Sequence, residues 1–374
     1  MKITARQQEA LRRLSRLLLC LSIGLSLLVI SAASPAALAS TSSRATVTQA
    51  VMQETLPELA MKPIPAPETL QAFTKQMIGQ LSANAPFKEW KDAATQVYPL
   101  GPGTRSWLVN VMNGGQRIGY LIISAADDGS YLLSEYGAGT DGLPYSMNEL
   151  HQYLVQQGLI SANSSGKIKL TALYAPLLPV WELKVEHKTV YLNASVLEVL
   201  PWTSKEAERV LSTPPVNGAA LSSGADQLRA PLPALLGGGQ DDPYADLLWL
   251  TAPALKNINE ASLTALLQQQ GSLAFQSAGH NDTLGAPFMI TGSQRWLKTD
   301  AAGDSAAGNE AAVVYAAAGP GGLRFLPLGA LQHAGTFHVP PAPCKEEPRW
   351  ARLLLPAQAG RSAGVAALRP ARSR

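Results

Sequence analysis

Two turn signals between β-rich runs limit this chain more than any other feature. Trp107–Met112 is rich in strand formers, Asn113-Gly114-Gly115 follows, and Arg117–Ser124 is a second such run. Ala126-Asp127-Asp128-Gly129 then leads into a third, Tyr131–Tyr136. Asn-Gly and Asp-Gly steps accept the positive φ that tight hairpin turns demand, so each ties its flanking runs as antiparallel neighbours. A three-strand meander is therefore expected near the start of whatever domain this is.

Helical patterns surround the meander. Leu70, Phe73, Met77 and Leu81 share one face of a helix over 68–81. Ser146 and Glu149 form a capping box, Met147, Leu150 and Leu154 continue a helical face, and Gly158 ends it. Three more β runs follow, Lys167–Tyr174, Val180–Glu186 and Thr189–Leu200. Helices kept apart from antiparallel strands predict the α+β class. Residues 212–243 hold Pro214, Pro215, Pro231, Pro233 and Gly237-Gly238-Gly239, the composition of a linker. A second unit follows, with a short apolar run at Leu247–Leu250 and a helix over Ala261–Gln270 that Gly271 ends. Its strand candidates are Leu273–Gln276, Pro287–Thr291, Ala311–Ala316 and Leu323–Leu326. The expected division is a leader at 1–39, a linker at 40–66, an α+β unit at 67–211, a Pro/Gly-rich linker at 212–243, a second α+β unit at 244–340 and a disordered basic tail at 341–374.

Charge is concentrated at the ends. Lys2, Arg6, Arg12, Arg13 and Arg16 face only Glu9 in residues 1–39, and Lys345 with six arginines faces Glu346 and Glu347 in residues 341–374. The formal net charge of the whole is only +3, so the body 40–340 is acidic, which argues against binding a phosphate backbone. The basic start, the apolar run Leu17–Ile30 and Ala37-Leu38-Ala39 have the form of a secretory signal peptide cleaved after Ala39. A run this short is below the ~20 residues a spanning helix needs, and no other segment is long and apolar enough. Cys20 would leave with the leader, so Cys344 would remain alone and no internal disulfide could form. An exported chain without disulfides and with an Ala-x-Ala site reads as bacterial, secreted or associated with the cell envelope.

No pattern for chemistry is complete. Gly137-Ala138-Gly139-Thr140-Asp141-Gly142 spells the dinucleotide fingerprint, but its strand belongs to an antiparallel meander and Pro144 intervenes, so a loop is expected. His151, His187, His280, His333 and His338 are scattered. His333, His338 and Cys344 match no standard zinc spacing. His280-Asn281-Asp282 reads as a surface turn, with a catalytic His beside its acid as the alternative. Asp127-Asp128 and Asp241-Asp242 sit in Gly/Pro turn contexts and read as solvated turns. Trp107, Trp181, Tyr120, Tyr131 and Tyr191 alternate within strands, as sheet core or cross-strand pairs do. No catalytic residue, metal ligand or cofactor site is therefore assigned.

Gly119-Tyr120-Leu121-Ile122-Ile123-Ser124-Ala125 and then Leu132-Leu133-Ser134-Glu135-Tyr136-Gly137 resemble strands of the propeptide of streptopain-type cysteine peptidases. Val180–Val185 with Val190–Ala194 is similar to the closing hairpin of small prodomain modules of the PepSY kind. Gly285-Ala286-Pro287-Phe288-Met289-Ile290-Thr291-Gly292, within 261–331, resembles the Gly-His-apolar strand of papain-like peptidases of the bacteriocin-processing type. The resemblance puts Ala286 where the catalytic His would be and Ala316–Ala318 where the orienting acid would be. It implies a degenerate peptidase half behind a prodomain-like unit. The function expected is that of an exported, non-catalytic binding protein whose unknown protein partner could be a protease. The alternatives are an exported hydrolase acting near His280 and an envelope structural protein.

Overall fold

A computed structural model describes residues 61–340, apart from 102–104, 159–167, 186–187, 214–219, 223–228, 256, 280–282, 299–310 and 320–322. The expected leader and basic tail lie outside the described residues, as do His187, His280, Asp282 and Cys344. The chain enters through α1 (Glu68–Leu81), whose buried Leu70, Phe73, Met77 and Leu81 are the stripe expected from their spacing. A 3-10 turn at Lys88–Trp90 leads to β1 (Ala94–Pro99), β2 (Ser106–Asn113), β3 (Gln116–Ala125) and β4 (Tyr131–Ala138). All four pair antiparallel in sequence order. Gly114, Gly115 and Gly129 take positive φ at the two turns, as the turn signals require. After β4 comes α2 (Met147–Gln156), with Ser146 at its N-cap accepting from the Glu149 N–H.

A separate sheet follows, made of β5 (Ile168–Ala175), β6 (Leu178–Val185), β7 (Lys188–Asn193) and β8 (Glu198–Val199). The single run expected over Thr189–Leu200 is thus two strands. The Ser195 N–H donates to Asn193 Oδ1 and Leu197 adopts positive φ, turning the chain between them. Next come α3 (Ser204–Leu211), β9 (Leu221–Ser222), β10 (Arg229–Pro231) and β11 (Leu235–Leu236). A 3-10 turn at Leu247–Thr251 and β12 (Ala254–Leu255) precede α4 (Glu260–Gln270), which Gly271 closes at φ 79°. The last elements are β13 (Leu273–Ser277), β14 (Phe288–Lys298), β15 (Ala311–Ala318), β16 (Arg324–Pro327), α5 (Leu328–Ala334) and β17 (Gly335–His338).

The main sheet has two meanders of four strands, each entered from a helix and left into one. α1 and α2 flank β1–β4, and α4 and α5 flank β13–β16. The last strand of one meets the last strand of the other, giving the order β1-β2-β3-β4-β16-β15-β14-β13-β17-β12. The seam is short: Arg324 opposes Gly137 and Phe325 opposes Tyr136. The Pro/Gly-rich stretch contributes to both meanders. β9 pairs with β4 beside the seam, and β10 and β11 pair with β14.

Alternation along the strands gives the sheet two apolar faces. On one, α1 packs with Val109, Val111, Leu121, Ile123, Tyr136, Trp296, Tyr315 and Phe325. On the other, Leu108, Tyr120 and Ile122 meet α2 and the inner side chains Trp181, Leu183 and Leu192 of the small sheet. Val180 and Tyr191 face the opposite way, toward Trp202 and α3. In the second meander α4 and α5 cover Phe275, Ile290, Ala316, Ala318 and Leu326. The architecture is α+β with antiparallel sheets.

Candidate functional site

The most deeply buried ion pair among the described residues lies at the seam, with one partner fully buried and the other half-buried. Glu135 on β4 is 0% exposed, and Arg324 on β16 reaches it through Nε at 3.1 Å and Nη2 at 2.8 Å. Tyr120 Oη donates to Glu135 Oε1 at 2.9 Å and Tyr174 Oη donates to Oε2 at 3.3 Å. Arg324 Nη2 also donates to the Leu177 carbonyl at 2.7 Å, tying β16 to the β5–β6 turn. Burial opposes the charge on Arg324, but the Glu135 carboxylate beside it holds the guanidinium above its ordinary pKa. Burial first, and then Glu135, push the Tyr120 and Tyr174 hydroxyls well above the usual tyrosine value. Four donors occupy the lone-pair directions of the carboxylate. The arrangement clamps three strands and the small sheet together.

A second buried network lies on the opposite face. Tyr136 Oη donates to Gln294 Oε1 at 2.6 Å and accepts from Trp296 Nε1 at 3.1 Å. Gln294 Nε2 donates to the Leu232 carbonyl, and Tyr315 Oη donates to the Leu133 carbonyl at 2.7 Å. The rings of Tyr136 and Phe325 stack across the seam, 5.0 Å between centroids. Nearer the first network, Arg117 Nη1 donates to the Pro144 carbonyl at 2.8 Å while its guanidinium lies over the Tyr120 ring. Burial brings the Arg117 pKa down to about 10. These groups fix the interior rather than open it.

The residues weighed from the sequence fall apart in space. Trp107, Trp181, Tyr120 and Tyr191 are buried in the sheets, and Tyr131 is half-buried against Phe73. Gly137 and Ala138 end β4, and α2 begins only at Met147, so no helix opens on the glycine motif. Asp127 pairs with Arg105, and Asp128 accepts from the Ser130 N–H and hydroxyl. His151 is half-buried on α2 and His333 is exposed on α5. His338 is buried, with Nδ1 donating to the Ala252 carbonyl at 3.1 Å and Nε2 placed to accept from Thr336 Oγ1 at 3.2 Å. Among the described residues no three His, Cys, Asp or Glu side chains gather as a metal site needs, and no helix is long and apolar enough to cross a membrane. β15 ends at Ala318 opposite Ile290, so half-buried Ala286 and Ala316–Ala318 lie toward one end of the β14–β15 pair.

Among the described residues, exposed apolar side chains concentrate in one segment. Tyr244, Leu247, Leu248 and Leu250 are 56%, 51%, 57% and 51% exposed, half of the eight large apolar side chains exposed among the described residues. The backbone beneath them is pinned. Asp242 Oδ1 accepts from the Tyr244 N–H and Asp246 Oδ1 from the Leu248 N–H, each at 2.9 Å. Trp249 turns inward onto Ala274 and Met289, and its Nε1 donates to the Pro243 carbonyl at 2.8 Å. The His338 ring stands 5.7 Å from that of Trp249 and its Nδ1 holds the Ala252 carbonyl at the end of the turn. The short apolar run at Leu247–Leu250 is therefore a knob with one side chain in and three out. Two networks and this knob carry no sequence motif. Their available signals were a lone acid in the apolar run Tyr131–Tyr136 and three leucines that fit neither a strand nor a helix period.

No protein-family model matches this chain, and no curated protein or solved structure is similar enough to show a relationship.

Proposed function

We propose that this chain is an exported bacterial binding protein without catalytic chemistry of its own, which docks on a protein partner through the knob at 241–252. The exposed apolar side chains of that knob carry the reading. Apolar clusters held rigidly at a surface mark interaction sites, whereas scattered exposed residues need no explanation. The alanines at 286 and 316–318 support the non-catalytic part, because a methyl group neither accepts a proton nor orients an imidazole. The prodomain-like resemblance makes a protease the partner class to try first.

The test places a photo-crosslinking p-benzoylphenylalanine at position 248 in the producing bacterium. A discrete protein adduct is expected, and it should disappear in Leu247→Asp/Leu250→Asp without a change in melting temperature, since those side chains are already half exposed. Absence of any adduct would overturn the reading.

A further inference from the structure

Resting on that docking reading, we propose that the knob is regulated in cis: residues 349–355 of the same chain cover it, and a partner must displace them. The knob has a distinctive chemistry. Between Arg229 and Lys256 the chain carries Asp241, Asp242 and Asp246 and no Lys or Arg. All three carboxylates are exposed beside Tyr244, Leu247, Leu248 and Leu250. An occupant must therefore offer apolar side chains with positive charges close by. Arg349-Trp350-Ala351-Arg352-Leu353-Leu354-Leu355 offers four large apolar side chains and two arginines in seven residues, with no acid.

The described chain also ends in the right place. β17 finishes at His338, which pairs with Ala254 and stands against Trp249 inside the knob. Trp350 follows Pro340 by ten residues, a reach of up to ~33–36 Å. A tether that short gives an effective concentration of about the mM range, so a contact with an intrinsic Kd well below that is largely closed. The same contact in trans, at micromolar protein, would be mostly open. A partner that binds the knob competes with this local concentration, and its apparent affinity falls by the fraction of chains that are open.

The experiment uses residues 40–374 and 40–340, which keep every described element, each with p-benzoylphenylalanine in place of Leu248. In the longer chain, peptide mapping should find an intramolecular adduct between position 248 and residues 349–355. Asp241→Lys/Asp242→Lys/Asp246→Lys should reduce that adduct severalfold, as should raising salt from 50 to 500 mM. Adduct formation with the partner should rise severalfold in the shorter chain. An adduct that avoids 349–355, a crosslink between two copies, or an adduct indifferent to charge reversal would overturn the cis contact. Equal partner adducts from both chains would overturn the regulation while leaving the docking reading intact. A cis adduct with no partner adduct from either chain would sink the docking reading and keep the contact.

Discussion

Glu135 is the residue whose removal should cost most. It is buried with four donors on it, so Glu135→Gln leaves the Arg324 guanidinium in the interior with no countercharge. Breaking a buried pair from one side typically costs about 3–5 kcal/mol. The loss should appear as a lower urea midpoint, and Glu135→Leu/Arg324→Met should lose less than the two single changes summed. Trp181→Ala belongs to the same scale. It empties the space between the two sheets and should cost about 3–5 kcal/mol in chemical denaturation. Burial of Trp107 and Trp181 was legible because each sits in an alternating strand. The partner of Glu135 was not, since nothing local announces a cation that lies 189 positions away.

At the scale of elements, legibility followed apolar periodicity and turn chemistry. The helix Glu68–Leu81 and the first meander are found where the pattern puts them. β14 runs on to Lys298, well past the expected Thr291, because Gln294 is a core residue there, satisfied by Tyr136 and Leu232. A polar side chain ends an apolar pattern without ending a strand. β1 is a half-exposed edge strand with no apolar run, and β9, β10 and β11 are too short to show any period. The helix at Ser204–Leu211 had its signal in Thr203 and Glu206, a capping box that the neighbouring Pro-rich stretch obscured. The knob left only its leucines to be read, because what makes it a surface is the burial of Trp249. Two changes test the elements. At Gly137 a Cβ would run into the Leu323 carbonyl and the Tyr120 ring, so Gly137→Ala should weaken the seam by about 1–3 kcal/mol. Hydrogen exchange should then quicken in β4 and β16 before it does in β2. Asn259→Ala removes the side-chain cap on the Ser262 N–H and should cost about 1 kcal/mol, read as a lower melting temperature.

The whole molecule should be sensitive to alkali. Tyr120, Tyr136, Tyr145 and Tyr174 all have hydroxyls whose pKa burial raises well above 10 in the folded state. Their contribution is fully present below pH 10 and falls as pH rises, because the unfolded chain ionises first. Each adds up to about 1.4 kcal/mol of loss per pH unit above that point. Arg117 acts in the opposite direction, its charge being disfavoured in the fold down to about pH 10, but one group does not offset four. The urea midpoint should therefore be flat from pH 8 to 9 and drop steeply between 10 and 11. Residues 40–374 should also leave casein intact, and hydrolysis lost on His280→Ala would reverse the functional reading. The seam has one more consequence, which concerns time. A ribosome makes β4 long before β16, so the seam end of β4 waits for Arg324 and Phe325, almost two hundred residues downstream. Loops that long close slowly, and an unpaired strand edge invites wrong pairing while it waits. Until β16 pairs with it, the seam end of β4 is where wrong pairing should begin.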